Sequence, residues 1–248
     1  MLKFLNEEIL RSLRSQVRIA PAGFRYGFAT NIFKPEAYER LWSKYPPVEK
    51  FRYVEVVDSF KNPSTKVYSG PRYGSREHHG CIDHLVDLDP VWKDVLAELA
   101  SPQAIKALNE ATGVKFNSVR EFAFNYGKKG CEIKPHLDSS ARTKDPYRTT
   151  VVCLLYFAPR PGGGPGGTCV YGTDRETVLL EAPDLCNSML FFEQHPDAWH
   201  GYKTITADAE RRNMQVTYNS ISWPVKLKTS RWHRLFCPQA RRTRPVSG

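Results

Sequence analysis

No apolar run in this 248-residue chain approaches the roughly 20 residues that a membrane-crossing helix needs. Its six cysteines, at 81, 131, 153, 169, 186 and 237, include no C-x-x-C. That spacing removes the common zinc-ribbon and dithiol readings. Three of the cysteines fall in apolar, strand-like runs and read as buried thiols of a reducing, cytoplasmic compartment. Acids arrive at Glu7 and Glu8, too early for a secretory apolar core. Glycines crowd Pro159 to Gly167, yet no Gly-Lys-Ser/Thr and no helix pattern follows, so a phosphate-cradling loop is excluded and a flexible hairpin crossover expected. Acidic residues are outnumbered, 26 against 36 basic, for a net charge of +10. Such a balance admits a polyanionic partner. Much of the excess, however, lies in Arg231, Arg234, Arg241, Arg242, Arg244 and scattered lysines, so a solvated surface is the stronger reading.

What is present reads as two halves. Leu5, Ile9, Leu10, Leu13 and Val17 share one helical face over residues 3–18. Phe24 to Phe28 suggests a strand. Pro35 opens a helix carrying Tyr38, Leu41, Trp42 and Tyr45, which Pro46-Pro47 ends. Residues 50–60 alternate like a strand, 61–88 look irregular, and helices follow over 89–99 and 102–111, the second stopped by Gly113. From Ser118 the period becomes two. Strands are expected at 119–126, 131–137, 149–158, 168–172, 177–182, 188–193, 199–205 and 211–221. Short strands in that number predict an α+β, mainly β fold: a double-stranded β-helix (jelly roll, cupin-like) with N-terminal helices packed on it. One domain spans 1–248, with helical and irregular support over 1–117, the jelly-roll core over 118–222 and a basic tail over 223–248.

His136-Leu137-Asp138 is the sharpest local pattern. In a strand, alternate side chains share a face, so this tripeptide aims an imidazole and a carboxylate into one space. His200, 64 residues later and at the start of a strand, completes a three-ligand cap. Two histidines and a carboxylate on one face suit a non-haem Fe(II) with open positions. His195 is the rival third ligand, but it precedes Pro196 in a loop. His78, His79 and His84 form another cluster, without a spacing that would focus them; they read as loop histidines, or as a lid.

In order, the chain carries Tyr126 with Gly130, His136 with Asp138, Tyr147-Arg148-Thr149-Thr150-Val151, Gly166-Gly167-Thr168, His200-Gly201 and Arg211. Over roughly residues 119–222 this series resembles the Fe(II)/2-oxoglutarate-dependent oxygenases, in particular the prolyl-hydroxylase-like and small amino-acid hydroxylase branch. The resemblance implies His136, Asp138 and His200 as Fe(II) ligands, 2-oxoglutarate and O2 as cosubstrates, and hydroxylation of a C–H bond. Related halogenases have a small residue where this chain keeps Asp138. The far carboxylate of 2-oxoglutarate needs a cation, and arginine offers a bidentate match. Arg211, Asn213, Gln215 and Thr217 form the polar face of the last strand, so Arg211 with Asn213 is assigned to that carboxylate and Arg212 is the alternative register. By resemblance Tyr126 donates to the same group; an ordinary core tyrosine is the other reading.

The substrate is open among classes. A small polar metabolite, above all a free amino acid, fits the neutral hydrogen-bonding groups of Gln215 and Thr217, with Arg72 available to a substrate carboxylate. A nucleic-acid demethylase of the AlkB type fits the charge, but Phe124 and Thr217 stand where that family has asparagine and a second arginine. A protein side chain or a lipopolysaccharide sugar is the third class, and a non-enzymatic jelly-roll binder the outsider.

Overall fold

A computed structural model describes residues 1–56, 65–73, 88–138, 149–158 and 165–220. The first helix, α1 (Glu7–Leu13), is shorter than its apolar periodicity suggests. The Asn6 side chain caps it by accepting from the Glu8 and Ile9 N–H groups. Just before it, the Glu98 carboxylate accepts the Phe4 and Leu5 N–H groups at 3.0 and 2.9 Å, and Leu5 bridges to Phe33, which holds this stretch extended. Strands β1 (Arg18–Ile19) and β2 (Arg25–Thr30) follow, then α2 (Pro35–Ser43), β3 (Arg52–Val56) and β4 (Thr65–Tyr73). Helices α3 (Pro90–Leu99) and α4 (Pro102–Thr112) start at the capping side chains of Asp89 and Ser101. Gly113 ends α4 with φ +72, a conformation glycine adopts without strain.

Residues 65–73 correct the irregular reading. Their Gly, Pro and Ser content hides a strand that pairs with β3 and with Tyr126, Asn125, Ala123 and Phe122. Gly70 and Pro71 sit at a register break between Ser69 and Arg72. A side chain at Gly70 would meet the Phe51 ring at 2.4 Å, so the close approach requires glycine.

The remaining strands are β5 (Ser118–Gly127), β6 (Glu132–His136), β7 (Thr149–Phe157), β8 (Cys169–Tyr171), β9 (Val178–Glu181), β10 (Cys186–Glu193), β11 (His200–Tyr202) and β12 (Arg211–Asn219). Hydrogen bonding runs β1-β2-β10-β7-β12-β5-β4-β6-β11-β8-β9, with β3 on β4, and the pairings are antiparallel. The sheet curls into the half-barrel of a jelly-roll double-stranded β-helix. Four strands of the path or its branch, β1 to β4, come from the supporting half of the chain.

The outer face of β5, β7 and β12 is apolar and packs under the helices. Phe122, Phe124, Met214, Val216 and Tyr218 join Trp92, Leu96 and Tyr45 there. Trp92 meets Phe124 and Phe157 edge-on at 4.9 and 5.0 Å, and its indole N–H donates to Lys44 O at 2.7 Å. Inside the curl lie a second apolar cluster, with Val152, Leu154, Leu190 and Phe192, and a cavity. Among the described residues, no helix is long and apolar enough to cross a membrane, and Cys131, Cys153, Cys169 and Cys186 are buried and free.

Candidate active site

The cavity measures about 430 Å³ and is lined by β4, β5, β6, β11 and β12. Strand pairing brings three candidate metal ligands together on its wall. His136 ends β6, His200 opens β11, and the two stand directly opposite each other. Their rings lie 4.3 Å apart, centroid to centroid. Asp138, two residues beyond His136, brings Oδ1 to 3.7 Å from His200 Nε2. One ligand atom from each of the three lies within 4.8 Å of the others.

Backbone carbonyls set the ring orientations. His136 Nδ1 lies 3.1 Å from Lys134 O and His200 Nδ1 lies 3.0 Å from Ala198 O. A carbonyl only accepts, so Nδ1 carries the proton in both rings and each Nε2 presents a lone pair. Burial and the neighbouring His200 push the His136 pKa down to about 4, so this imidazole is a neutral donor at physiological pH. Phe192 packs on His200 at 4.4 Å. Among the described residues no lysine or arginine pairs with Asp138. Two lone-pair imidazoles and an available carboxylate suit a divalent non-haem iron. His195 stands apart. Its ring stacks on Phe24, and its Nδ1 accepts the Asp197 N–H at 3.2 Å.

Arg211 also lines the cavity and is 4% exposed. Its Nε donates to Gly166 O at 2.6 Å, one Nη to Thr168 Oγ1 at 2.9 Å and the other to Asn213 Oδ1. The guanidinium also lies over the Tyr202 ring at 4.4 Å and near Tyr156 at 5.5 Å. Among the described residues no carboxylate pairs with it. A buried cation held by neutral acceptors is costly unless an anion joins it. Gly166 makes the geometry possible. It has φ +100, and a Cβ there would sit 3.2 Å from Arg211 Cδ.

Arg212 takes the opposite face. Its Nε and Nη2 donate to Glu210 Oε2, so it is neutralised away from the cavity. Tyr126 pairs in register with Arg212, not with Arg211. Its hydroxyl donates to Glu210 Oε1 at 2.8 Å, its ring lies in the aromatic core, and burial with the Glu210 carboxylate raises its pKa. Strand register thus sets Tyr126 beside Arg212 and in the core, where the ordinary core-tyrosine reading had it.

Gln215 and Thr217 both line the cavity, on the face of Arg211 and Asn213. Arg72 has its backbone in β4, and its side chain lies outside the described residues, as do Arg148, the His78, His79 and His84 cluster, and 223–248. Three contributors escaped sequence reading. Tyr156 accepts the Thr168 N–H at 3.2 Å, and burial raises its pKa against the pull of Arg211. Burial likewise pushes Tyr202 up to about 12. Tyr156 was hidden within the uniform apolar run of β7, and Tyr202 by the shortness of β11. The third is the polar wall of Thr65, Ser69, Asn125 and Arg120, of which Thr65 and Ser69 were hidden because β4 did not read as a strand.

No protein-family model and no curated protein matches the chain. Solved structures do. An oxidoreductase of the 2OG-Fe(II) oxygenase family from Burkholderia pseudomallei aligns over 87% of this chain and 92% of its own, at 19% identity and a TM-score of 0.55. A Pseudomonas putida prolyl-4-hydroxylase aligns over 86% of this chain and 99% of its own, at 13% identity and TM-score 0.54. A Trichoplax adhaerens prolyl hydroxylase, solved with a hypoxia inducible factor peptide fragment, aligns over 86% and 89%, at 14% identity and TM-score 0.54. The chain therefore shares the fold of these 2OG-Fe(II) oxygenase and prolyl hydroxylase structures.

Proposed function

We propose that the chain is an Fe(II)- and 2-oxoglutarate-dependent dioxygenase that hydroxylates a C–H bond of a small polar metabolite, most specifically a free amino acid. One observation carries the reading: a His–Asp–His cap and a buried arginine without an acidic partner among the described residues share one cavity. His136, Asp138 and His200 would hold the iron, which with 2-oxoglutarate and O2 would supply the oxidising power for hydroxylation, with succinate and CO2 as coproducts.

The chain's own groups do the positioning. Arg211 anchors the far carboxylate of 2-oxoglutarate, with Thr168 and Asn213 fixing the guanidinium and the Tyr156 hydroxyl beside it. The Nδ1–H donors of His136 and His200 stay on backbone carbonyls, so neither ring turns its proton towards the ligand side. Phe192 and Leu154 keep this end apolar, which strengthens charge interactions and limits water. Gln215 and Thr217 offer the substrate neutral hydrogen bonds. Two of the fold neighbours are prolyl hydroxylases, which favours a prolyl side chain in a peptide as the second reading.

Anaerobic titration with Fe(II) and 2-oxoglutarate tests the core of this. The wild-type protein is expected to develop the visible absorbance of the complex, His200→Ala to lose it and His195→Ala to keep it. The reverse pattern would show that the third ligand is misassigned. Succinate release with pooled amino acids, a prolyl peptide and methylated oligonucleotides then separates the substrate classes.

A further inference from the structure

Between Val119 and Glu121, β5 holds one residue more than β12. Tyr218 pairs with Val119 and Thr217 with Glu121, so the register shifts at Arg120. Such a bulge breaks the alternation of side chains and re-aims them. Alternation is strict further along, where Phe122, Phe124 and Tyr126 enter the aromatic core and Asn125 lines the cavity. Unbroken, it would send Arg120 to the core if Glu121 faced inward. The bulge instead puts both Arg120 and Glu121 on the cavity wall.

Across from Glu121, Thr217 is buried, and its Oγ1 has no hydrogen-bond partner among the described residues. A buried hydroxyl left this way costs stability in the ligand-free protein and awaits a polar group. Charge narrows what that group belongs to. Under the oxygenase reading, divalent iron and Arg211 offset Asp138 and the two carboxylates of 2-oxoglutarate. The wall then adds one cation and one anion. Both have interactions of their own in the ligand-free chain. A ligand carrying both charges exchanges for these without leaving either one unmatched. A phosphodiester would suit Arg120 but press against Glu121.

We propose that the bulged Arg120–Glu121 pair selects the substrate, with Arg120 taking the α-carboxylate and Glu121 the α-ammonium of a free amino acid, and the Thr217 hydroxyl bonding beside them. This rests on the oxygenase reading above and names the residues that would choose the substrate at that site.

The test uses the full chain loaded with Mn(II), as a redox-inert ion, and 2-oxoglutarate. Thermal unfolding is followed with each L-amino acid, with the N-acetyl and C-amide derivatives of any that stabilises, and with a prolyl peptide and a single-stranded oligonucleotide. At least one free amino acid is expected to raise the midpoint, and blocking either end to weaken binding by about tenfold or more. Glu121→Gln should shrink the penalty for N-acetylation, and Arg120→Met that for amidation. Glu121→Asp and Arg120→Lys should restore most of the discrimination. All four variants should bind 2-oxoglutarate like the wild type, which also reads out folding. The proposal is overturned if the wild type binds 2-oxoglutarate but no amino acid, if only the peptide or the oligonucleotide stabilises, or if the variants leave both penalties unchanged. A wild type that fails to bind 2-oxoglutarate with Mn(II) would instead overturn the oxygenase reading, before any amino acid is added.

Discussion

Two faces of the same strand, β12, are built to opposite specifications. On one, Met214, Val216 and Tyr218 are fully buried against aromatic rings and helices. On the other, Arg211, Asn213, Gln215 and Thr217 line a cavity, and three of those four are also buried. The first face is a source of stability, since each large apolar side chain removed from water contributes roughly 1.5–3 kcal/mol. The second is a liability for the empty protein, because buried polar groups must find partners or cost free energy. The difference teaches that the inner face is composed for a ligand, while the outer face supports its geometry.

The comparison breaks most visibly on the outer face. Phe124 stands opposite Met214 on β5, is fully buried, and touches the rings of Tyr45 and Trp92 at 5.6 and 4.9 Å. Phe124→Ala is expected to cost about 3–5 kcal/mol in chemical denaturation. A loss below about 1 kcal/mol would mean that this face is not the main core.

On the inner face the effect should appear in binding. Arg211→Met removes a charge-assisted contact worth about 1.5–3 kcal/mol, so 2-oxoglutarate affinity should fall by about tenfold or more. The rise in unfolding midpoint that saturating 2-oxoglutarate gives the metal-loaded wild type should shrink accordingly. An undiminished midpoint rise would place the cosubstrate elsewhere in the cavity.

Much of this contrast is legible in the sequence. The period-two pattern from Ser118 gave the strands of the curl, and parity alone separated Arg211 from Arg212 and joined His136 to Asp138. Pairing between distant strands was less legible, because parity says which residues share a face but not which strand lies opposite. That His200 faces His136 is a register fact of β6 and β11. Tyr126 meets the same limit: only the register of β5 against β12 sets it beside Arg212. β4 was missed because Gly70 and Pro71 mimic a loop, although one is dictated by the Phe51 ring and both lie at a register break. The bulge at Arg120 leaves no mark in composition at all. It exists only as a mismatch between two strands.

The smallest expected effect sharpens the comparison most. Arg212 is the sequence neighbour of Arg211 and has the same chemistry, yet its side chain is 24% exposed and pairs with a Glu210 side chain that is 43% exposed. Ion pairs this open to solvent contribute about 0–1 kcal/mol. Its guanidinium also lies 5.9 Å from the Tyr45 ring, a distance at which a cation–π contact is weak. Arg212→Met keeps the aliphatic stem over that ring and leaves Glu210 with the Tyr126 hydroxyl as a donor. Stability should therefore change by no more than about 1 kcal/mol, and 2-oxoglutarate should bind as it does to the wild type. Two adjacent arginines would then differ by about tenfold or more in their effect on one ligand, through nothing but the side of the strand each occupies. If Arg212→Met weakens 2-oxoglutarate as much as Arg211→Met does, the two faces of β12 are not functionally distinct, and the assignment of the anion end to Arg211 fails with them.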